Sequence, residues 1–313
     1  MRRFELRPLS LGELLDRAFF LYRRNFPLFA GIMVVPACLI LPMQIVLLRR
    51  QATPYPWNRP SSRSHLVAYS YAFMLVYWFL YAVVQAATTY AVSDAYLGRS
   101  ATVLEAYRKV RGHYLQVIGV TVGVGLRAFG WILLFVFPAL IVLILLIGLV
   151  SKEGVNLQGP LITVAPLAIV LVGVGVAVWF SARYAVSVPA VLLENIKGRA
   201  AIRRSVELSR GRRWQGFIAI LLGVVVTYAM AILFQGPFYA AFALTNLKGP
   251  LSIWLVLARS TSGAIGGVIA GPLLMIILVL FYYDLRIRKE AFDLQQMMAS
   301  LPEPGPAVPP AVM

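Results

Sequence analysis

The chain has 313 residues, of which 60% are hydrophobic and only 13% charged, and its formal net charge is +17. A soluble domain carries about 25% charged residues, so a water-soluble fold is excluded and a bilayer is the expected solvent. The positive balance would suggest nucleic acid in a soluble chain, but here the cations flank apolar runs and point to an anionic inner leaflet.

Ser10-Leu11-Gly12-Glu13 reads as a capping box, in which serine and glutamate satisfy each other's backbone amides. Leu11, Leu14, Leu15, Ala18, Phe19 and Tyr22 then recur at helical spacing, with Glu13, Asp16, Arg17 and Arg23 off the stripe. This predicts an amphipathic helix in the membrane interface. The run from Phe26 to Val35, followed by Pro36-Ala37-Cys38, has the outline of a lipoprotein signal. The long charged segment before it and the proline two residues before the cysteine argue against cleavage. With Cys38 as the one cysteine, no intrachain disulfide is possible.

The first span is predicted from about Phe26 to Leu48, kinked by Pro27, Pro36 and Pro42, with an irregular loop from Arg49 to His65. The second runs from about Leu66 to Val92, and Asp94 follows its end. Ser100 to Arg111 is a second amphipathic segment with Val103, Leu104, Tyr107 and Val110 on its stripe. The apolar run from Tyr114 to Val150 would measure about 55 Å as one helix, against a hydrocarbon core of about 30 Å. It is predicted to cross once with an irregular or re-entrant part, breaking at Gly130 and Pro138; two short crossings are the alternative. The fourth span covers about Leu161 to Leu193, ending at Glu194, and a connection with seven basic residues leads to Trp214. The fifth runs from Trp214 to about Phe234, broken or kinked by Gln235-Gly236-Pro237. Leu251 to Ala258 is predicted to be interfacial, and the sixth span is about Gly263 to Tyr283.

The expected fold is thus an all-α integral membrane protein of about six transmembrane helices. It forms a single membrane domain over 1–298, with hairpins at about 10–97, 100–193 and 198–283, a basic segment at 284–298 and a disordered Pro/Ala-rich tail at 299–313. On this topology 20 of the 29 Lys and Arg residues fall on one side and six on the other. The imbalance places both termini in the cytoplasm and the protein in the cytoplasmic (inner) membrane, unless residues 114–150 cross twice.

The segments LLDRAFFLYRRNFPLFAGI, TVLEAYRKVRGHYLQVIGV and IRRSVELSRGRRWQGFIAI share a pattern of short helix, basic cluster and one aromatic before the apolar run. Their aromatics, Phe26, Tyr114 and Trp214, lie 88 and 100 residues apart. Three parallel hairpins, each preceded by an amphipathic interfacial helix, follow from this. Shared ancestry and the common need of outgoing helices for a basic flank explain the pattern equally well.

Residues that could carry chemistry are few. His65 and His113 lie in separate loops, and no His/Cys/Asp group has metal-ligand spacing. No phosphate loop or nucleophile elbow is present, so no catalytic residue, metal or cofactor is expected. Arg127 and Arg183, with Asp94 and Glu194, are the candidate buried charges. A cation near the bilayer centre costs at least about 2.5 kcal/mol and faces the bundle or a wet cavity. A site for an anionic group is one reading; snorkelling or pairing with Asp94, Glu194 or a carbonyl is the favoured one. Arg203, Arg204, Arg210, Arg212 and Arg213 are candidate contacts to anionic lipid. Phe26, Tyr114, Trp214, Tyr282 and Tyr283 are the expected interface anchors, and Gly119/Gly123 and Gly267/Gly271 are spaced for close helix packing.

The segments LRPLSLGELLDRAFFLYRRNF, VPAVLLEN…GRAAIRRSVELSRGRRW and FYYDLRIRKEAFDL resemble a bacterial family of polytopic proteins similar to the membrane domain of glycerophosphoryl diester phosphodiesterases. In that family the domain stands alone or is fused to a soluble phosphodiesterase. The fused enzyme's histidine pair and acidic metal ligands, in a barrel-length soluble segment, are absent here, so the resemblance implies no activity or substrate. The run from Pro138 to Pro160 is longer than the family's turn. The expectation is a non-catalytic membrane protein with a scaffold, assembly or lipid-contacting role. Its partners would be anionic membrane lipids and a protein partner or second copy, with no nucleic acid. A transporter with Arg127 and Arg183 lining a polar path, or the membrane subunit of a separately encoded lipid-active phosphodiesterase, are the alternatives.

Overall fold

The computed structural model describes residues 8–52, 60–152, 160–245 and 253–290. They form α1 (Leu11–Arg24), α2 (Phe26–Ala52), α3 (Pro60–Tyr96), α4 (Val103–Val110), α5 (Tyr114–Lys152), α6 (Pro160–Ser181), a 3₁₀ turn (Ala182–Tyr184), α7 (Ser187–Leu193), α8 (Gly198–Ser209), α9 (Arg213–Thr245) and α10 (Ile253–Glu290), with no strand among the described residues. Six segments are long and apolar enough to cross a membrane: Phe26–Val46, Val67–Tyr96, Tyr114–Pro138, Val170–Leu193, Arg213–Ala241 and Leu257–Glu290. The protein is an all-α bundle of three parallel hairpins, α2–α3, α5–α6/α7 and α9–α10. The short helices α1, α4 and α8 precede them and gather at one end, here called the basic end.

The capping box forms: the Ser10 hydroxyl accepts from the Glu13 amide and the Glu13 carboxylate accepts from the Ser10 amide. The stripes of the short helices are rotated from those expected. α1 buries Leu14, Ala18 and Leu21 while Phe19 turns outward, and α4 buries Ala106 and Val110 while Leu104 is exposed. Their apolar faces dock on the bundle, so these helices form a collar packed on protein.

Several expected breaks are absent. α5 runs unbroken through Gly130 and Pro138, α9 runs through Pro237, and Leu251–Ala258 is not a separate interfacial piece, since α10 already begins at Ile253. Proline removes one backbone bond, but leaving the helix in lipid would strand every other amide and carbonyl, so continuing costs less. The reverse error lies in the fourth span, which is interrupted between α6 and α7 at residues 182–186. The interruption is enclosed by protein, where such backbone is tolerated. Its Arg183 carbonyl accepts from Ser205 Oγ of α8 (2.9 Å), and the Ser209 hydroxyl, which donates to the Ser205 carbonyl (2.7 Å), lies 3.4 Å away. The 299–313 tail and the 291–298 part of the basic segment lie outside the described residues.

Collar hydroxyls serve such carbonyls elsewhere too. Pro36 cannot donate to the Ile32 carbonyl, and Tyr107 of α4 donates to it instead at 2.7 Å. Tyr22 of α1 donates at 2.7 Å to Ile269 O, beside the turn that Pro272 disturbs in α10.

α10 is the mast of the bundle: 61% of the residues in its most apolar stretch are buried, against 6% for Tyr114–Pro138. It packs on α9, α2, α1 and α3. Close approach is made at Gly223, where a Cβ would lie 2.4 Å from Leu274, and at Gly31, where it would lie 2.8 Å from Val103. Of the expected glycine pairs, Gly123 meets Ile202 and Gly271 meets Met33, whereas Gly119 and Gly267 face open space.

Candidate functional site at the basic end

The carboxylates that end the returning helices organise this end. Asp94 closes α3 and pairs with Lys109 of α4. Glu194 closes α7, accepts from Arg204 of α8 (2.9 Å) and from the Tyr282 hydroxyl (2.8 Å), and lies 3.8 Å from Arg286. Asp284, near the end of α10, accepts from the Leu9 amide just before α1 (2.7 Å) and from Arg288 (3.0 Å), whose guanidinium also reaches the Leu9 carbonyl. Glu290 adds a second carboxylate to Arg204 and one to Arg286. Each hairpin's terminal acid therefore holds the collar segment of the next hairpin, and the third holds that of the first.

This assigns the expected residues. Asp94 and Glu194 are enclosed and paired. Arg204, expected at lipid, is corrected: it is committed to Glu194 and Glu290. Burial works against its charge, yet the hydrogen bonds to the two carboxylates outweigh this and hold its pKa above the ordinary value. Arg212 donates to the Gln215 side chain at 2.7 Å. Arg203, Arg210 and Arg213 are exposed and make no ion pair among the described residues. Arg23, Arg24, Arg99, Arg108, Arg111, Lys197 and Arg199 are also exposed, and the exposed acids beside them are Asp16, Glu105 and Glu207.

Phe26, Tyr114 and Trp214 are exposed at 40%, 38% and 59%, as anchors require. Tyr282 and Tyr283 are not anchors, since both are buried. Tyr283 shares a 2.8 Å hydrogen bond with Ser93, and its ring lies 5.2 Å from that of Tyr96. They sit one turn before the basic cluster of the central helix, so the phenols point into the bundle. This centrality had no signal in the local sequence.

Arg127 is not buried: it is exposed on α5 and donates back one turn to the Gly123 carbonyl (2.8 Å), as a snorkelling side chain does. Arg183 is half-enclosed, its guanidinium 5.0 Å from the Trp131 ring centre and 5.2 Å from that of Tyr184, and it donates to the Phe180 carbonyl (2.9 Å). The aromatic faces stabilise the cation without a carboxylate. Neither arginine lines the cavity of about 490 Å³ that lies among α2, α3, α9 and α10. His113 stands 3.5 Å from the Tyr90 hydroxyl, the His65 side chain is outside the description, and the described residues hold no cluster arranged for a metal. Comparison with protein-family models, curated proteins and solved structures finds no match to this chain.

Proposed function

We propose that this is a non-catalytic integral membrane protein of the cytoplasmic membrane whose basic end, facing the cytoplasm with both termini, holds anionic lipid headgroups. The observation that carries this reading is the sorting of charge at the collar. The carboxylates Asp94, Glu194, Asp284 and Glu290 turn inward to pin helices together, while Arg203, Arg210 and Arg213 stay exposed. Each such cation beside an anionic surface contributes about 1 kcal/mol, screened by salt. The exposed Phe26, Tyr114 and Trp214 seat the collar at the headgroup level.

The test is native mass spectrometry of the purified protein with phosphatidylglycerol. Combining Arg203→Gln, Arg210→Gln and Arg213→Gln is expected to lower its occupancy several-fold, while Arg49→Gln with Arg50→Gln leaves it unchanged. A triple variant that inserts with the same topology and keeps the parent's occupancy would show that the cations serve only to orient the chain during insertion.

A further inference from the structure

The cavity among α2, α3, α9 and α10 is graded in polarity along the membrane normal. α2 and α9 lead away from the basic end and α10 returns to it, so Gln44, Gln235, Arg259 and Ser260 all lie toward the far end. Toward the basic end the walls are Met33, Val84, Leu274 and Met275. The close meetings of Gly223 with Leu274 and of Gly271 with Met33 bring α9, α10 and α2 together there, while toward Arg259 the α9–α10 seam stays closed through Ser262, which donates to the Phe234 carbonyl (2.6 Å), so the cavity lies between that seam and α2 and α3.

Two groups mark the polar end, the half-exposed Arg259 and the buried Ser260. Arg259 lies within the Leu257–Glu290 span. It donates to the Tyr239 hydroxyl (2.7 Å) and stacks 4.5 Å from that ring centre, yet no carboxylate among the described residues faces it. As the third residue of that 34-residue span, Arg259 stands at its far end, where an unpaired cation is placed to meet an anionic headgroup. Ser260 lines the same cavity, is 4% exposed, and its hydroxyl has no hydrogen-bond partner among the described residues. Water would satisfy these groups, but the walls below are mainly apolar, with the Thr227 hydroxyl there already donating to the Gly223 carbonyl (2.8 Å).

From these observations we infer that the cavity is a binding site for one acidic phospholipid. The headgroup phosphate pairs with the Arg259 guanidinium and accepts from the Ser260 hydroxyl. An acyl chain lies along the α10 face that carries Gly263, Gly267 and Gly271. From Arg259 to Met275 that face is about 24 Å long, more than half the ~30 Å hydrocarbon core and so deep enough for a chain of one leaflet. The volume of about 490 Å³ falls in the range of about 300–1,000 Å³ usual for ligand sites. Gly267 faces open space in this groove: a Cβ there would meet nothing within 4 Å. This site lies at the opposite end from the collar and does not depend on the collar's lipids.

The experiment uses the full chain carrying Arg203→Gln, Arg210→Gln and Arg213→Gln, so that collar lipids do not mask the cavity. Native mass spectrometry compares phosphatidylglycerol with phosphatidylcholine of the same chains. The expected result is one retained phosphatidylglycerol, preferred at least tenfold, and loss of that preference in Arg259→Gln with recovery in Arg259→Lys. A Gly267→Cys variant, made with Cys38→Ser and alkylated with a bulky maleimide after folding, is expected to lose both lipids at least tenfold relative to the same protein before alkylation. Preference unchanged in Arg259→Gln, or occupancy unchanged by alkylation, overturns the proposal.

Discussion

Glu194 shows how one side chain at this protein's basic end serves several helices. It joins α7 to α8 through Arg204 and to α10 through Tyr282 and Arg286. Removing one partner of an enclosed ion pair costs more than the pair's net worth, because the remaining charges are stranded. Glu194→Ala is therefore expected to lose about 3 kcal/mol, and Glu194→Gln less, since the amide oxygen still accepts one hydrogen bond; unfolding in detergent micelles measures both. Tyr107 gives a test in pH. Its hydroxyl is tied to Ile32 O, and burial pushes its pKa up to about 12. In the unfolded chain it titrates near 10, so its contribution is intact below pH ~10 and falls away as pH rises toward 12. Alkaline unfolding of the parent is expected to steepen over that window relative to Tyr107→Phe; equal slopes would refute the link.

At the scale of the helix, apolar length, flanking cations and the Ser10 capping box were enough to find six spans and three introductory helices. What local sequence could not show was where a proline helix stops. Pro138 and Pro237 sit within unbroken helices, while the fourth span breaks near Arg183, where serines from α8 are placed to receive the freed carbonyl. That compensation lies 22 residues down the chain and has no local signature. Ser205→Ala combined with Ser209→Ala is expected to cost about 1–3 kcal/mol for the orphaned carbonyl, read as a lowered unfolding midpoint, whereas Thr102→Ala, at the exposed α4 cap, should cost about 1 kcal/mol. Glycine spacing misled for a similar reason. Gly125, Gly223 and Gly31, outside the expected pairs, make the tightest contacts, and Gly267, inside one, faces a cavity. The sorting of arginines into pinned and free was equally hidden, because Arg203 and Arg204 are neighbours in sequence and differ only in which acids the fold brings near.

For the whole molecule, the charge imbalance makes a topological statement that labelling can check. In a Cys38→Ser background, a cysteine from Asn58→Cys or Asn156→Cys is expected to react with an impermeant maleimide added outside cells, and one from Arg199→Cys only after lysis. Reaction of the last from outside would invert the bundle and, with it, the leaflet assigned to the collar.

The hand-to-hand arrangement of the terminal acids also has a consequence in time. α4 and α8 each find their acid on a hairpin already synthesised, so each can dock as it emerges. α1 reaches the first hairpin through Arg17, which donates to the Tyr96 hydroxyl of α3 (3.3 Å), but the rest of its clasp, Asp284, Arg288 and the Ile269 carbonyl, lies on the last helix. α1, which precedes all three hairpins in sequence, is thus fully clasped only once α10 is in place. Until then Leu14, Ala18 and Leu21 lack the α10 surface against which α1 packs. Chains arrested before α10 should be cut by trypsin at Arg17, and full-length chains should resist there.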